Sequence, residues 1–302
     1  YLDLDGNPIT FKHSKSKSSA LIRIRWANPA LHLDKDSNPI KYQSPFASGS
    51  HLWIPNWMIT AYKKHDILET LYVCEGEKKA DRMCLAGLPA VGIMGINNLA
   101  VSGEMPGMFE SLIKQCAVAN VVFLLDSDWQ DISIKNTKAV DARPKTFLTA
   151  VSKFRNYFTA FHHEGYDLKI FLAHGKDKVL KGIDDLLQLE LNGKEEELVS
   201  DFEDVLKGRT GEGKFVNAYD ITGMSYYKLQ EFWNLHSIPA FIDAHKDVLK
   251  KVSTFRLGKL TRRWNEEEGV FEIDEKILPQ EKFWHTSFSE NKKGEDEANT
   301  RF

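Results

Sequence analysis

Residues 71 to 80 read Leu-Tyr-Val-Cys-Glu-Gly-Glu-Lys-Lys-Ala. The first four form a short apolar run, Glu75 ends it, Gly76 supplies a turn, and residues 77–85 have helical character. A strand that passes through one glycine into a helix is the repeating unit of an open α/β sheet. In such sheets ligands gather beyond the carboxyl ends of the strands, and Glu75 stands at one of those ends. The grammar recurs at Val121-Val-Phe-Leu-Leu125, which runs into Asp126-Ser-Asp128. A third acidic spot, Lys181-Gly-Ile-Asp-Asp-Leu-Leu187, follows an apolar run at 168–172. Three acidic clusters at or beyond strand ends point to a divalent-metal site.

Working outward, residues 67–192 alternate strand and helix as a mostly parallel sheet with flanking helices requires. Strands are expected at 71–74, 90–93, 121–125 and 168–172, and helices at 77–86, 107–116, 141–163 and 183–191. The glycine- and asparagine-rich stretch Gly92-Ile-Met-Gly-Ile-Asn-Asn-Leu99 follows a strand. Its amides could point at an anion, and an ordinary turn explains it equally well. Asp126 and Asp128, two apart past a strand, can lean the same way and share an ion. Mg²⁺ takes oxygen ligands of this kind, one or two carboxylates plus substrate phosphates. A helix cap or plain solvent exposure is the competing account. The position after an apolar strand, with Glu75 ending another, favours the metal.

The flanks differ in composition. Across residues 1–66, turn signals at Asp5-Gly-Asn-Pro8 and Asp36-Ser-Asn-Pro39 punctuate short extended segments, and Lys and Arg outnumber Asp and Glu. This is the pattern of a small, basic, β-rich subdomain. In Ser19-Ala-Leu-Ile-Arg-Ile-Arg-Trp26 the alternation puts Arg23 and Arg25 on one strand face. That face is either solvated or tracks phosphates, with Trp26, Tyr42 and Trp53 available for stacking. Residues 193–215 read as an acidic helix and a linker. Gly208-Arg-Thr-Gly-Glu-Gly-Lys-Phe215 has P-loop spacing, but Phe215 stands where a Mg²⁺-binding hydroxyl belongs and no buried strand precedes it. ATP binding is rejected there, and a flexible linker expected. From 216 to 288 the expectation is helices at 224–235 and 240–251, then a hairpin of 252–264 with 270–277 across Asn265-Glu-Glu-Glu-Gly269. Between Lys246 and Arg263 only Asp247 is acidic, and Arg256, Lys259, Arg262 and Arg263 lie beside Trp264. A solvated helix face explains part of this run, and a nucleic-acid backbone would also suit it. Residues 289–302 have no periodicity and are expected to be disordered.

Composition narrows the classes. A chain of 302 residues holds one large or two ordinary domains, and a net charge of −3 announces no nucleic-acid partner globally. Cys74, Cys84 and Cys116 form no closely spaced pair, which disfavours a disulfide framework and a zinc ribbon and fits a cytoplasmic protein. No signal peptide or membrane-length apolar run is visible, so no membrane partner is expected. The chain begins at Tyr1 rather than Met, as a piece of a longer protein does.

Glu75 in Glu-Gly-Glu, the glycines at 92 and 95, and Asp126-x-Asp128 together resemble the Toprim domain of primases, topoisomerases, OLD-type nucleases and RecR-type proteins. More closely, residues 71–80, 124–129 and 181–187 resemble the Toprim-like DUF3854 family of phage, plasmid and integrated-element replication proteins. Lys-Gly-Ile-Asp-Asp is similar to the Lys-Asp-x-Asn-Asp/Glu element of phage primase-helicases, except that Gly182 replaces the first acid. Lys41-Tyr-Gln-Ser-Pro45 is similar to a segment preceding the Toprim domain of bacterial primases. Those primases usually carry a zinc-binding module, which this sequence lacks.

The resemblance implies a Toprim-like, Rossmann-like sheet and metal-dependent phosphoryl transfer on nucleic acid. Asp126 and Asp128, with Asp184 as the third acid, would hold Mg²⁺ or Mn²⁺. Glu75 would be a further ligand or the general acid/base. Lys78 and Lys79 would meet phosphate, with plain solvent exposure an equal alternative, and Arg23, Arg25 and Lys41 would face template or primer. Three functions follow: a primase using single-stranded DNA and nucleoside triphosphates, a Toprim nuclease, or a non-catalytic DNA-binding module of a replication protein. A helicase, in the same chain or separate, is a further expected partner. Dinucleotide binding is disfavoured, because Glu-Gly-Glu is not a glycine-rich phosphate turn.

Overall fold

The structure, a computed structural model, describes residues 1–14, 17–35, 37–46, 48–96, 98–99, 107–130, 142–177, 179–189, 195–208, 211–225, 228–229, 242–243, 246–252, 254–257, 260–273, 285–290 and 296–301. The chain forms two compact units, Tyr1–Trp129 with Phe147–Leu229, and Gln130–Thr146 with Gln230–Phe302.

The first unit opens with β1 (Thr10–Ser14) against β2 (Lys17–Ala20), then a small ribbon of β3 (Ile24–Arg25) and β4 (Tyr42–Gln43). There follow β5 (Leu52–Trp53), α1 (Asn56–Lys64), β6 (Thr70–Glu75), α2 (Glu77–Leu85), β7 (Ala90–Ile93), α3 (Gly107–Gln115) and β8 (Asn120–Leu125). Next come α4 (Ala142–His163), β9 (Lys169–Gly175), α5 (Ile183–Leu189), α6 (Glu195–Leu206) and β10 (Val216–Asp220). Six strands make one sheet in the order β10-β9-β8-β6-β7-β5. The four inner strands are parallel, and β10 and β5 close the edges antiparallel. This is the expected α/β class, with a mostly parallel sheet flanked by helices.

The strand sequences explain the layering. Leu71 to Cys74 and Val121 to Leu125 are buried without alternation, as strands covered on both faces must be. Val73 pairs with Phe123, and the Phe123 ring stacks on Phe154 of α4 at 4.6 Å. Tyr72 points to the opposite face and meets Phe202 of α6 edge-on at 5.0 Å. One face of the sheet is therefore covered by α4 and the other by α6.

Both edges depart from the expected boundaries. Leu52–Trp53, read as part of an N-terminal subdomain, pairs with Ile93 and Gly92, and Val216–Asp220, read as the start of a C-terminal region, pairs along β9. The cause at the second edge is Asp201 on α6. Its Oδ1 accepts the Lys214 N–H at 2.6 Å, and its Oδ2 accepts those of Phe215 and Val216 at 2.8 and 3.0 Å. The supposed flexible linker is thus pinned where it enters β10. The Lys214, Phe215 and Val216 amides are committed to the chain's own carboxylate. Asp201→Ala should lower stability by about 2–3 kcal/mol through loss of these charge-assisted bonds, measured by urea unfolding.

The second unit contains α7 (Lys246–Val252), a sheet of β11 (Thr254–Leu257), β12 (Leu260–Asn265) and β13 (Val270–Ile273), and a hairpin of β14 (His285–Glu290) with β15 (Asp296–Arg301). The expected strand 252–264 is two antiparallel strands, preceded by a helix that includes Val252, and a hairpin stands where the tail was expected to be disordered. The expected helix at 224–235 lies mostly outside the described residues, as does the first part of that at 240–251. Among the described residues no helix is long and apolar enough to cross a membrane. Cys74, Cys84 and Cys116 are free and buried, as expected of packing thiols.

Candidate acidic site at the carboxyl edge of the sheet

After β6 the chain moves to β7 on one side, and β8 takes the other side, so the connections diverge between β6 and β8. Open α/β sheets bind ligands in such a crevice, beyond the strands' carboxyl ends. Cys74 pairs with Leu124, so Glu75 ends one neighbour and Asp126 directly follows the other. Asp128 sits in the 3-10 turn Ser127–Gln130, and the Ser127 N–H donates to Lys181 O at 2.9 Å. That bond ties the end of β8 to the loop before α5, whose first turn carries Asp184.

The turn after Glu75 is tightly built. Gly76 adopts φ +106°, which L side chains avoid, and its N–H donates to Ile93 O at 2.9 Å. Gly92 lies inside β7, as the strand expected at 90–93 requires, and beneath this turn; a Cβ there would be 2.7 Å from Gly76 O. In the loop that follows, the Asn98 N–H donates to Gly95 O at 2.8 Å, as in an ordinary turn.

Lys79, one turn into α2, donates to both carboxylate oxygens of Asp126. Side-chain exposures of 15% and 27% put this pair mostly out of water. Burial pushes Asp126 above the ordinary carboxylate range, with the pull of Lys79 opposing and Asp128 and Asp184 repelling its charge. Burial works against the charge of Lys79 too, yet Asp126 and then Asp184 hold its pKa above the usual lysine value. Lys181 adds a second ammonium, 3.6 Å from Asp128. Three carboxylates, Asp126, Asp128 and Asp184, thus stand against two ammoniums, an excess of one negative charge that a further cation would relieve.

Glu75 is half-buried, with Oε1 4.0 Å from the position of a Cβ at Gly95. Lys78 is exposed on α2. Glu77, which sequence reasoning passed over, accepts hydrogen bonds from the Tyr1 hydroxyl and, at 2.6 Å, from Arg23. Its position at the first turn of a helix, with a basic strand upstream, was the available signal. Burial raises its pKa, but the Tyr1, backbone and Arg23 hydrogen bonds outweigh this and hold it below the usual glutamate range. Its contribution to stability is therefore full above the ordinary Glu value and lost as pH falls through the depressed one. Glu77→Gln should cost about 1–2 kcal/mol at neutral pH, with the difference shrinking as pH falls below the ordinary glutamate value, as urea unfolding across that range would reveal.

Arg23 also lies over the Tyr42 ring at 4.6 Å, with Arg25 at 5.9 Å and Lys41 at 5.7 Å. The three expected cations thus gather on one aromatic, but Arg23 is already committed to Glu77. Trp26 stacks on His32 at 3.5 Å, and Trp53 donates to Asp81 at 2.8 Å, so these rings have partners within the chain. In the second unit, Arg262 and Arg263 point to opposite faces of β12, and burial lowers the pKa of Arg262. Lys246 and Lys250 lie over Trp264 at 5.2 and 4.4 Å. Arg256 is on β11, and Lys259 lies outside the described residues.

Among the described residues no three His, Cys, Asp or Glu side chains converge as a ready metal-holding group. The donor chemistry of Asp126, Asp128 and Asp184 nevertheless suits a hard cation, and the Lys79 ammonium stands in for one.

Fold and edge together define an α/β protein with an acidic crevice at the switch point of a mostly parallel sheet. No family model matches the sequence, and no curated protein matches it. Among solved structures, the chain is similar to a DNA primase domain from Pseudomonas aeruginosa, with 16% identity, a TM-score of 0.37, and coverage of 82% of this chain and 68% of that one. It is also similar to the RNA polymerase domain of Mycobacterium tuberculosis primase DnaG, with 15% identity, a TM-score of 0.32, and coverage of 80% and 69%.

Proposed function

We propose that the chain transfers phosphoryl groups on nucleic acid, as a primase-type polymerase making short primers in the replication of a mobile element or phage. The observation that carries this is the surplus of carboxylate charge at the β6–β8 crevice. A nucleotide's phosphates can be held at such a place only with added positive charge. Mg²⁺ or Mn²⁺, held by Asp126 and Asp128 with Asp184 or Glu75, would neutralise phosphate oxygens and so ease attack at phosphorus. Glu75, at the next strand end, would take the proton of an attacking hydroxyl. Exposed Lys78 on α2, and Arg25 and Lys41 beside Tyr42, are free of the Glu77 network that occupies Arg23, and they are the residues to meet the phosphate backbone.

A second reading is a DNA-binding module without chemistry. It is favoured by Lys79, which already occupies both oxygens of Asp126. The test is incubation with single-stranded DNA, labelled nucleotides and Mg²⁺ or Mn²⁺, comparing wild type with Asp126→Ala/Asp128→Ala. Short new products lost in the variant support the primase. Shortened DNA lost in the variant replaces it with a nuclease. DNA binding with no metal-dependent product leaves the binding module.

A further inference from the structure

Lys79 has a seat made for it. Its Nζ faces Asp126, and its stem passes Gly182, where a Cβ would lie 3.0 Å from Lys79 Cε, 3.3 Å from Nζ and 2.4 Å from Asp184 Oδ1. Any side chain at 182 would crowd the lysine or Asp184. The one place where the acidic pattern is broken, glycine for an acid, is thus the place that admits the ammonium. The ordinary use of a lysine at a phosphate site is an exposed point charge, but this one is mostly buried and committed to a carboxylate.

We infer that Lys79, seated over Gly182, is a built-in counter-ion that closes the acidic crevice to divalent cations until it is displaced. The inference rests on the reading of Asp126, Asp128 and Asp184 as cation ligands. A divalent ion and the ammonium compete for the same two oxygens of Asp126, so apparent affinity falls by the fraction of molecules in which Lys79 has left. A substrate phosphate offers the ammonium another anion, so nucleotide and metal should enter together and the free protein should hold metal weakly. The charge of Lys79 would then pass from carboxylate to phosphate, with no bond made or broken.

The experiment is Mn²⁺ binding to the full chain, read by electron paramagnetic resonance and calorimetry without nucleotide. Wild type, Lys79→Met and Lys79→Gln are compared, each alone and combined with Asp126→Asn. Lys79→Met should tighten Mn²⁺ binding by at least about tenfold, the gain expected if the seat is filled more than nine-tenths of the time. Lys79→Gln, which keeps a polar head and removes the charge, should move affinity the same way. Asp126→Asn should abolish both gains. If wild type and Lys79→Met bind Mn²⁺ equally through Asp126, the inference falls and the cation-site reading stands. If none of the proteins binds Mn²⁺ through Asp126, both fall. Thermal melting accompanies each protein, and if Lys79→Met does not fold, Lys79→Gln decides.

Discussion

Gly92→Ala should destabilise the protein by about 3 kcal/mol, at the upper end of overpacking costs, and loosen the turn that presents Glu75 and Lys79. The added Cβ would sit 2.7 Å from Gly76 O, 3.0 Å from Gly76 C and 3.3 Å from Glu77 Cα. All three are backbone atoms, so no change of rotamer relieves the clash. The backbone cannot easily give either. Gly76 is fixed at φ +106° and bonded to Ile93 O, one residue beyond Gly92. Parting β7 from the turn breaks that bond and lifts the first turn of α2 off the sheet. Gly107→Ala is the control, because nothing lies within 4 Å of its added Cβ at the start of α3. It should shift stability by no more than about 1 kcal/mol, in the stabilising direction, as alanine replaces glycine in a helix. Urea unfolding of both proteins separates crowding from a general intolerance of substitution. Equal stability of Gly92→Ala and wild type would mean the turn is not packed as described.

The same comparison of glycines shows what sequence could and could not reveal. Gly76 was legible, because one glycine between an apolar run and a helical run has to be a turn. Gly92 and Gly182 were not, since their roles depend on atoms from other elements. Gly92 was readable as a strand residue leading into a loop, but not as one lying under the crossing backbone of Gly76 and Glu77. Gly182 looked like a defect in an acidic motif and is the floor of the lysine's seat. The central strands were readable because Leu71–Cys74 and Val121–Leu125 are uninterrupted apolar runs that end in acids. The edges were not: β5 has two residues and no period to detect, and β10 owes its place to Asp201 on the preceding helix. Asp126 and Asp128 were picked out as acids past a strand and Asp184 through the resemblance, and the charges of Asp128 and Asp184 both act on Asp126. Spacing gave no hint that Lys79 would spend its charge on Asp126 rather than on a ligand.

Asp126→Asn should reduce primer synthesis by at least about 100-fold, the scale of losing one charge-stabilising group at a reacting phosphate, if the proposed function holds. Its effect on folding should be far smaller, and the reason lies in the pair. Breaking a buried ion pair from one side strands the other charge, at a cost of about 3–5 kcal/mol when both are fully buried. Here Lys79 and Asp126 keep exposures of 15% and 27%, so water screens the remaining charge and about 1–2 kcal/mol is expected. Asp184 also stays beside Lys79 to receive part of its charge. Lys79→Met removes the ammonium seated on Asp126 and leaves that carboxylate under the charges of Asp128 and Asp184, so it should cost more than Asp126→Asn. The double variant should then be less destabilised than the sum of the two, with a coupling of about 1–2 kcal/mol from urea unfolding. A coupling near zero would make the ion pair incidental to the fold. A large activity loss in a protein that unfolds at nearly the wild-type urea concentration assigns Asp126 to the reaction. The same loss with collapsed stability assigns it only to the fold.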